Sequence, residues 1–217
     1  MFGREILELA VLHHPESIPA KCILDNFHHF EALHGVLEGK WIHGWGSYLF
    51  NGQTYTYQRE TLKKQEALFR VGQASSHILE VGVYVGHSLL ILLISNPDLK
   101  ITCIDIDGRY SPKVVDYLNT HFGNRITFHL GDAVTIMKTM ADDSFDAIHI
   151  DADHVIPAVT AQFSEATRLT KIGSYVVFDD YEALRQAIDS WIDNRQLQHI
   201  ETPWCLWTNI ITVLLKK

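Results

Sequence analysis

From residue 76 onward, short apolar segments rich in β-branched residues alternate with longer segments whose apolar residues recur at helical spacing. Apolar segments of this length are typical of strands buried on both faces of a parallel sheet. The pattern predicts strands at 77–81, 100–104, 126–129, 145–150 and 174–178, and helices at 88–95, 112–122, 134–140 and 155–170. Helical crossovers between such strands predict a doubly wound, Rossmann-like α/β sheet.

The pattern changes toward the end of the chain. Residues 181–194 predict one more helix, because their apolar side chains fall on one helical face. Segments 198–201 and 209–215 predict two further strands, and the short connection around Pro203 requires them to be antiparallel. We therefore expect a seven-stranded, mostly parallel sheet with an antiparallel edge strand.

Residues 1–72 include a stretch rich in histidine and aromatic residues and have no glycine turn followed by a helix. They are interpreted as an N-terminal extension of a core at 73–217. An Asn-Gly pair, which suits a tight hairpin turn, predicts a β-hairpin at 48–57. Residues 59–71 predict an amphipathic helix stopped by Gly72. The extension can serve as a lid or a dimer element, and its aromatic side chains favour packing or a homodimer contact over direct substrate contact.

Composition and charge narrow the range of partners. The 217-residue chain has a formal net charge of −8 and no dense run of Lys and Arg, which disfavours nucleic acid and favours a small molecule. No stretch of about 18 apolar residues predicts a membrane span, and residues 1–20 lack the apolar core of a secretory signal. Cys22, Cys103 and Cys205 lie too far apart for a metal motif, so we expect reduced thiols in a cytoplasmic protein.

A glycine turn follows the first predicted strand, in the segment Glu80-Val-Gly-Val-Tyr-Val-Gly86. Gly82 and Gly86 let the backbone turn tightly, and the helix that begins at Ser88 offers unpaired N–H groups to an anion. The Gly-x-x-x-Gly spacing differs from the Gly-x-Gly-x-x-Gly arrangement of dinucleotide sites, which disfavours an NAD-dependent oxidoreductase. We expect His87 to begin the helix with its ring at the pocket edge.

Polar residues also end the second and third predicted strands. Asp105 is placed to accept hydrogen bonds from ribose hydroxyls, with Asp107 as its rival, and Asp132 and Ala133 are placed to face an adenine. Each of these residues has an alternative role in helix capping or packing. Their order along successive strand ends favours a nucleoside site.

Three carboxylates follow the fourth and fifth predicted strands. Asp151 ends one strand, while Asp179 and Asp180 end the next. Adjacent parallel strands bring these groups to one rim, where carboxylates need a positive partner and hard oxygen ligands suit Mg²⁺ or another divalent cation. The alternative is helix capping by Asp151 and Asp180, which requires no metal.

The segments 78–88, 103–107, 131–133, 145–154 and 176–181 resemble the successive motifs of the class I S-adenosylmethionine-dependent methyltransferases, and especially the metal-dependent O-methyltransferases. This resemblance covers about two-thirds of the chain and implies a site for S-adenosylmethionine. It implies that Asp105 binds the ribose and that Asp132 lies beside the adenine. The methionine part would be surrounded by Glu80, Gly82, Tyr84 and Ser88, and the donor site would also include Gly86, His87, Ala133 and Asp151.

His154 lies three residues after Asp151, where the catechol-type and caffeoyl-coenzyme A-type enzymes carry a catalytic lysine. Asp-x-x-His followed by Asp-Asp-Tyr is more similar to the macrolide-sugar O-methyltransferases typified by the macrocin and mycinamicin enzymes. The resemblance implies metal-assisted O-methylation of a sugar or another vicinal diol, with His154 as general base. A metal-independent methyltransferase acting on another acceptor and a non-catalytic donor-binding scaffold remain the alternatives.

Overall fold

The computed structural model describes residues 4–36, 62–199, 206–207 and 210–215. Three helices open the chain, α1 (Arg4–His13), α2 (Ile18–Asp25) and α3 (Phe27–Val36), and α4 (Leu62–Gln73) is the next described element. The hairpin predicted at 48–57 lies outside the described residues.

From β1 onward the chain alternates strands and helices, in the predicted order. The elements are β1 (His77–Val81), α5 (His87–Ser95), β2 (Lys100–Asp105), α6 (Ser111–Phe122), β3 (Ile126–Leu130), α7 (Ala133–Met137), β4 (Phe145–Ile150), α8 (Ile156–Leu169), β5 (Thr170–Asp179) and α9 (Tyr181–Asp193). Three short strands follow, β6 (Leu197–His199), β7 (Leu206–Trp207) and β8 (Ile210–Leu215). β5 is longer than predicted, and α7 is shorter.

The strands form one mixed sheet in the order β3-β2-β1-β4-β5-β8-β6, with β7 paired to β8. β1 pairs in parallel with both β2 and β4, whereas β8 is antiparallel to β5 and to β6. The predicted mostly parallel, Rossmann-like sheet is therefore confirmed, with the antiparallel strand lying between β5 and the edge strand β6. The direction of progression reverses between β1 and β4, which is where open α/β sheets form ligand crevices.

Both faces of the sheet are covered, because successive strand residues point to opposite sides. Ile78 of β1 packs in a cluster with Phe30 of α3 and Leu68 of α4, while Leu79 packs in a second cluster with Phe163 of α8 and Ile188 of α9. The N-terminal helices thus share a hydrophobic core with the sheet.

Gly72 does not stop α4, contrary to expectation, because the helix continues to Gln73. A Cβ at Gly72 would lie 2.1 Å from Ser95 Oγ and 3.2 Å from Leu92 Cδ2. The glycine therefore allows α4 to approach α5 closely, which is how the N-terminal segment docks next to the helix that follows the glycine turn.

Two further observations bear on the expectations from composition. Among the helices that the structure describes, none combines the length and apolar character needed to cross a membrane. Cys22 is a partly buried free thiol and Cys103 is a buried one, whereas Cys205 lies outside the described residues.

Arg125 ties the end of α5 to the end of α6. Its guanidinium donates hydrogen bonds to the carbonyl oxygens of Asn96 (2.7 Å), Phe122 (2.8 Å) and Leu93 (3.0 Å). One planar, charged group thereby satisfies three carbonyls near helix ends, and it fixes the two helices that flank the glycine turn.

We expect Arg125→Ala to lower the free energy of unfolding by about 2 kcal/mol or more, because a hydrogen bond from a charged group contributes about 1.5–3 kcal/mol and several carbonyls lose their donor. Urea unfolding followed by circular dichroism measures the change. Arg70→Ala is the control, since the side-chain partners of Arg70 within the described part of the chain are Glu66, in a surface pair at 3.7 Å, and Gln73, at 3.3 Å. Equal effects of the two substitutions would contradict the role given to Arg125.

Candidate functional site

A cavity of about 580 Å³ opens at the carboxyl ends of the central strands, beside the point where the strand order reverses. This volume is in the range of sites for small molecules and cofactors. Its lining includes most of the residues expected from the sequence, namely Gly82, Tyr84, Ser88, Asp105, Asp132, Ala133, Asp151, His154, Asp179 and Asp180.

The glycine turn is held tightly between two neighbouring strands. The Gly82 N–H donates to Ile104 O at 2.9 Å, and the Asp151 N–H donates to Val81 O at 2.9 Å. Gly82 has φ +98°, and a Cβ there would lie 2.1 Å from the carbonyl oxygen of Asp151. Only glycine fits this position, since both the conformation and the space exclude a side chain. Gly86 has φ +73° and precedes α5.

Asp105 holds the glycine turn through hydrogen bonds to its backbone. Its Oδ2 accepts hydrogen bonds from the N–H groups of Val83 (2.8 Å) and Tyr84 (2.9 Å) and from Ser111 Oγ (2.7 Å). Its Oδ1 accepts from the Asp107 N–H at 2.8 Å. Oδ1 accepts one hydrogen bond from the described residues, so it retains capacity for the predicted ribose hydroxyl. The bracing role was not foreseen from the sequence.

The end of β3 forms another wall of the cavity. Asp132 is the N-cap of α7, and its Oδ1 accepts a hydrogen bond from the Thr135 N–H at 2.8 Å. Hydrogen bonds from Thr135 lower the pKa of Asp132 below its ordinary value. The capping alternative therefore applies to Asp132, and its predicted position beside an adenine is compatible with capping because the residue also lines the cavity.

Glu80 and His87 are buried away from the cavity surface that the described residues form. Glu80 is fully buried and accepts a hydrogen bond from Ser88 Oγ, so it orients Ser88 from beneath. The expectation that the His87 ring reaches the pocket edge is wrong: the ring packs against Phe30 and His34 of α3, with centroids 5.6 and 5.3 Å away. Burial holds the pKa of His87 well below its ordinary value, which keeps the ring neutral. At the start of α5, its side chain is directed toward the packed N-terminal helices.

The carboxylates of Asp151 and Asp179 meet at the ends of β4 and β5, and Lys64 of α4 joins them. The Lys64 ammonium donates to Asp179 Oδ2, and the two side chains are only 4% and 2% exposed. The Asp180 N–H donates to Asp179 Oδ1 at 2.9 Å. Both carboxylate oxygens of Asp179 are therefore engaged by donors of the chain itself.

Burial and charge determine the protonation of this group. Burial disfavours the charged form of Lys64, but the Asp179 carboxylate, followed by Asp151, raises the pKa of Lys64 above its ordinary value. Burial likewise opposes the charge of Asp179, and Lys64 offsets that effect and lowers the pKa of Asp179. Burial and the adjacent Asp179 raise the pKa of Asp151 well above its ordinary value. The arrangement favours an ammonium–carboxylate pair between Lys64 and Asp179, next to Asp151, whose ionisation burial and Asp179 oppose.

Of the three predicted aspartate ligands, Asp151 and Asp179 lie together in the structure, and Asp180 is not part of their ligand group. A His149, Asp151 and Asp179 group brings its ligand atoms within 4.8 Å of one another, whereas the Asp180 carboxylate pairs with His154. A divalent ion at this group would meet the Lys64 ammonium already bound to Asp179, and like charges repel strongly at such distances. As arranged, the residues do not fit a metal site.

His154 and Asp180 form an ion pair at the cavity rim, between Nδ1 and Oδ2. The His154 side chain is 64% exposed and the Asp180 side chain 28% exposed. The hydrogen bond to Asp180 raises the pKa of His154 above its ordinary value. An Nδ1–H donated to Asp180 leaves Nε2 as the nitrogen that can accept a proton. Asp180 has φ +54° and makes no side-chain cap to α9, so the capping alternative does not apply to it.

The sequence patterns did not predict two residues of the site, Lys64 and His149. Lys64 lies in a segment without a recognisable motif, far from the strand ends. The sequence does contain a signal for His149. It precedes Asp151 by two residues near the end of β4, and alternate side chains of a strand lie on the same face.

The chain is similar to known methyltransferases in sequence. Residues 79–181 match the family model described as "Methyltransferase domain". A caffeoyl-CoA O-methyltransferase from Stellaria longipes is 26% identical over 159 residues, which cover 70% of this chain and 61% of that protein. The chain therefore matches less than two-thirds of the length of this curated relative.

Solved structures with low sequence identity show the same fold. An O-methyltransferase of tomaymycin synthesis from Streptomyces achromogenes, in complex with S-adenosylmethionine, is similar with a TM-score of 0.59 at 18% identity, over 71% of this chain and 80% of that chain. An O-methyltransferase from Bacillus cereus, in complex with S-adenosylhomocysteine, gives a TM-score of 0.54 at 17% identity, over 69% and 79% of the two chains. Residues 79–181 are therefore similar to a methyltransferase domain, and the chain has the mixed α/β, Rossmann-like fold that these methyltransferases share.

Proposed function

We propose that the protein is an S-adenosylmethionine-dependent O-methyltransferase that acts on a small hydroxylated molecule, such as a sugar or another vicinal diol. The observation that carries this proposal is the His154–Asp180 pair at the rim of the cavity that begins at the glycine turn. A base oriented by a carboxylate, next to a donor pocket, is suited to removing a proton from an acceptor hydroxyl.

The donor is proposed to lie along the strand ends. Gly82, Tyr84 and Ser88 would contact its methionine part, Asp105 its ribose, and Asp132 with Ala133 its adenine. Gly86 and Glu80 would shape this pocket without touching the donor. The positive φ values of Gly82 and Gly86 support the assignment, because they bring backbone rather than side chains to the ligand.

The proposed reaction needs one base and accurate positioning. The acceptor oxygen bonds to the methyl carbon as the methyl–sulfur bond breaks, and the bonding electrons pass to sulfur, which gives S-adenosylhomocysteine. His154 Nε2 takes the acceptor's hydroxyl proton, and the resulting imidazolium is stabilised by Asp180. The cavity walls align the acceptor with the methyl group, and such alignment supplies much of the rate enhancement.

The expected divalent cation, Mg²⁺ or another, would require rearrangement of two ion pairs. Of the predicted ligands Asp151, Asp179 and Asp180, the second is bound to Lys64 and the third to His154. Methyl transfer with His154 as base uses these contacts as they stand. The resemblance to macrolide-sugar enzymes supports a histidine base and a sugar-like acceptor.

We also propose a small-molecule partner and a cytoplasmic location. The net charge of −8 supports a small-molecule acceptor over nucleic acid. The free thiols of Cys22 and Cys103 are compatible with a cytoplasmic location.

A screen for donor consumption tests the proposed function. The purified chain is incubated with S-adenosylmethionine and panels of sugars, catechols and small natural products, and S-adenosylhomocysteine and methylated product are quantified by mass spectrometry. We expect turnover with at least one hydroxylated acceptor, and loss of about 100-fold or more in His154→Ala, the scale of general-base catalysis. His13→Ala, at an exposed position on α1, is the matched control. Tight donor binding without any turnover would favour the scaffold alternative.

The pH dependence of turnover tests the His154–Asp180 pair. Because Asp180 raises the pKa of His154, the imidazole keeps its proton to a higher pH, and the neutral base forms only above that pKa. We expect kcat/KM to increase with pH through an inflection above about 6.5. Asp180→Asn removes the negative charge and should move the inflection to lower pH while reducing the maximal rate. An unchanged inflection would exclude His154 as the titrating base.

Donor affinity tests the role of Asp105. Asp105→Asn replaces one accepting oxygen by a donor, so it cannot satisfy all the N–H groups of the turn and also accept from a ribose. We expect the Kd for S-adenosylhomocysteine, measured by calorimetry, to increase about tenfold or more, the equivalent of about 1.4 kcal/mol. Asp107→Asn is the control, with a change expected within about threefold. A larger effect for Asp107→Asn would transfer the ribose contact to Asp107.

A further inference from the structure

Lys64 occupies an unusual place for a lysine. It is 3% exposed on α4, where its neighbours Gln65 and Ala67 are also buried, whereas the adjacent Lys63 faces solvent. Lysine is almost never fully buried unless it is paired. α4 carries this side chain to the carboxylate cluster because Gly72 lets the helix pack closely against α5.

The contacts of the cluster leave little room for a second cation. Lys64 and the Asp180 N–H engage both oxygens of Asp179, and His154 engages the Asp180 carboxylate. Asp151 lies against the Asp179 carboxyl, with which it shares a side-chain hydrogen bond. With Asp179 held by Lys64, the candidate ligand group has one carboxylate, Asp151, and the His149 imidazole, whereas a divalent ion such as Mg²⁺ is usually held by several oxygen ligands.

We infer that Lys64 is the built-in cation of the Asp151–Asp179 cluster and occupies the electrostatic role of a divalent ion there, so that methyl transfer proceeds without a bound metal. The part about methyl transfer rests on the proposed function. Among the described residues the cavity is lined by Asp151 and Asp179 but not by Lys64. Lys64 is therefore a positioning residue that acts through Asp179, and the N-terminal segment contributes to the site.

Charge balance explains how the Lys64 ammonium can take the place of a metal ion beside Asp151 and Asp179. A buried carboxylate pair without positive charge is strongly unfavourable, and either an ion or an ammonium can offset it. The ammonium is covalently part of the chain, so it is present whether or not metal is available. It holds Asp179 in place at the end of β5, and the backbone of Asp179 leads directly into Asp180, the partner of His154.

Mn²⁺ binding tests this inference without any acceptor. The free Mn²⁺ signal in electron paramagnetic resonance is titrated with wild-type protein, Lys64→Ala and Lys63→Ala. We expect wild type and Lys63→Ala to leave Mn²⁺ free at millimolar concentration, while Lys64→Ala binds it about tenfold or more tightly than wild type, because the carboxylates have lost their cation. A purely structural role for Lys64 would not create metal affinity.

Thermal unfolding provides a second test of whether Mn²⁺ binds where the Lys64 ammonium has been removed. Mn²⁺ should raise the Tm of Lys64→Ala and leave that of wild type unchanged, since only a site without the ammonium gains a ligand. If Lys64→Ala fails to fold, Lys64→Gln takes its place in both measurements. A wild-type chain that binds one Mn²⁺ and loses it in Asp179→Asn overturns the inference, as does a folded Lys64 variant without any gain in affinity.

The two proposals fail in different ways. A screen that finds no methylated product defeats the proposed function, yet it leaves the Mn²⁺ result on Lys64 intact. Turnover that disappears with EDTA and returns with Mg²⁺ would support the proposed function, but it would overturn the inference that methyl transfer proceeds without a bound metal. Turnover unaffected by EDTA in wild type supports both.

Discussion

The close approach of Gly82 to the backbone of Asp151 is the constraint on which the site depends. A Cβ at Gly82 would lie 2.1 Å from the Asp151 carbonyl oxygen, and the Asp151 N–H is bound to Val81 O. The turn after β1 and the end of β4 are therefore in van der Waals contact at the point where the strand order reverses. This contact places the glycine turn and the acidic cluster in one cavity, where the proposed methyl donor and acceptor would meet.

The N-terminal helices complete this arrangement instead of merely covering it. α3 buries His87 at the start of α5, and α4 delivers Lys64 to Asp179. One contact lies behind the glycine turn, at the start of α5, and the other lies at the ends of β4 and β5. A segment outside the matched methyltransferase domain thus sets both the packing and the charge of the site.

The sheet and the cavity wall could be predicted because their signals are local. Apolar runs, glycine positions and polar residues at strand ends are all read within a few residues, and the parallel order follows from short crossovers. The Lys64–Asp179 pair could not be predicted, since it joins residues 115 positions apart and one partner lies in no motif. The direction of His87 depended equally on α3, which carries no sequence signal for that contact.

Consecutive aspartates at the end of β5 have separate partners for a conformational reason. Asp180 has φ +54°, a left-handed conformation that aspartate tolerates better than most residues at a cost of about 1 kcal/mol. This conformation turns the chain into α9, and it lets the Asp179 carboxylate pair with Lys64 inside while the Asp180 carboxylate pairs with His154 at the rim. An extended residue would continue the alternation of the strand and would not make this turn. The strain at Asp180 therefore keeps the buried cation and the proposed base apart, so that one can stabilise the cluster while the other exchanges protons with solvent.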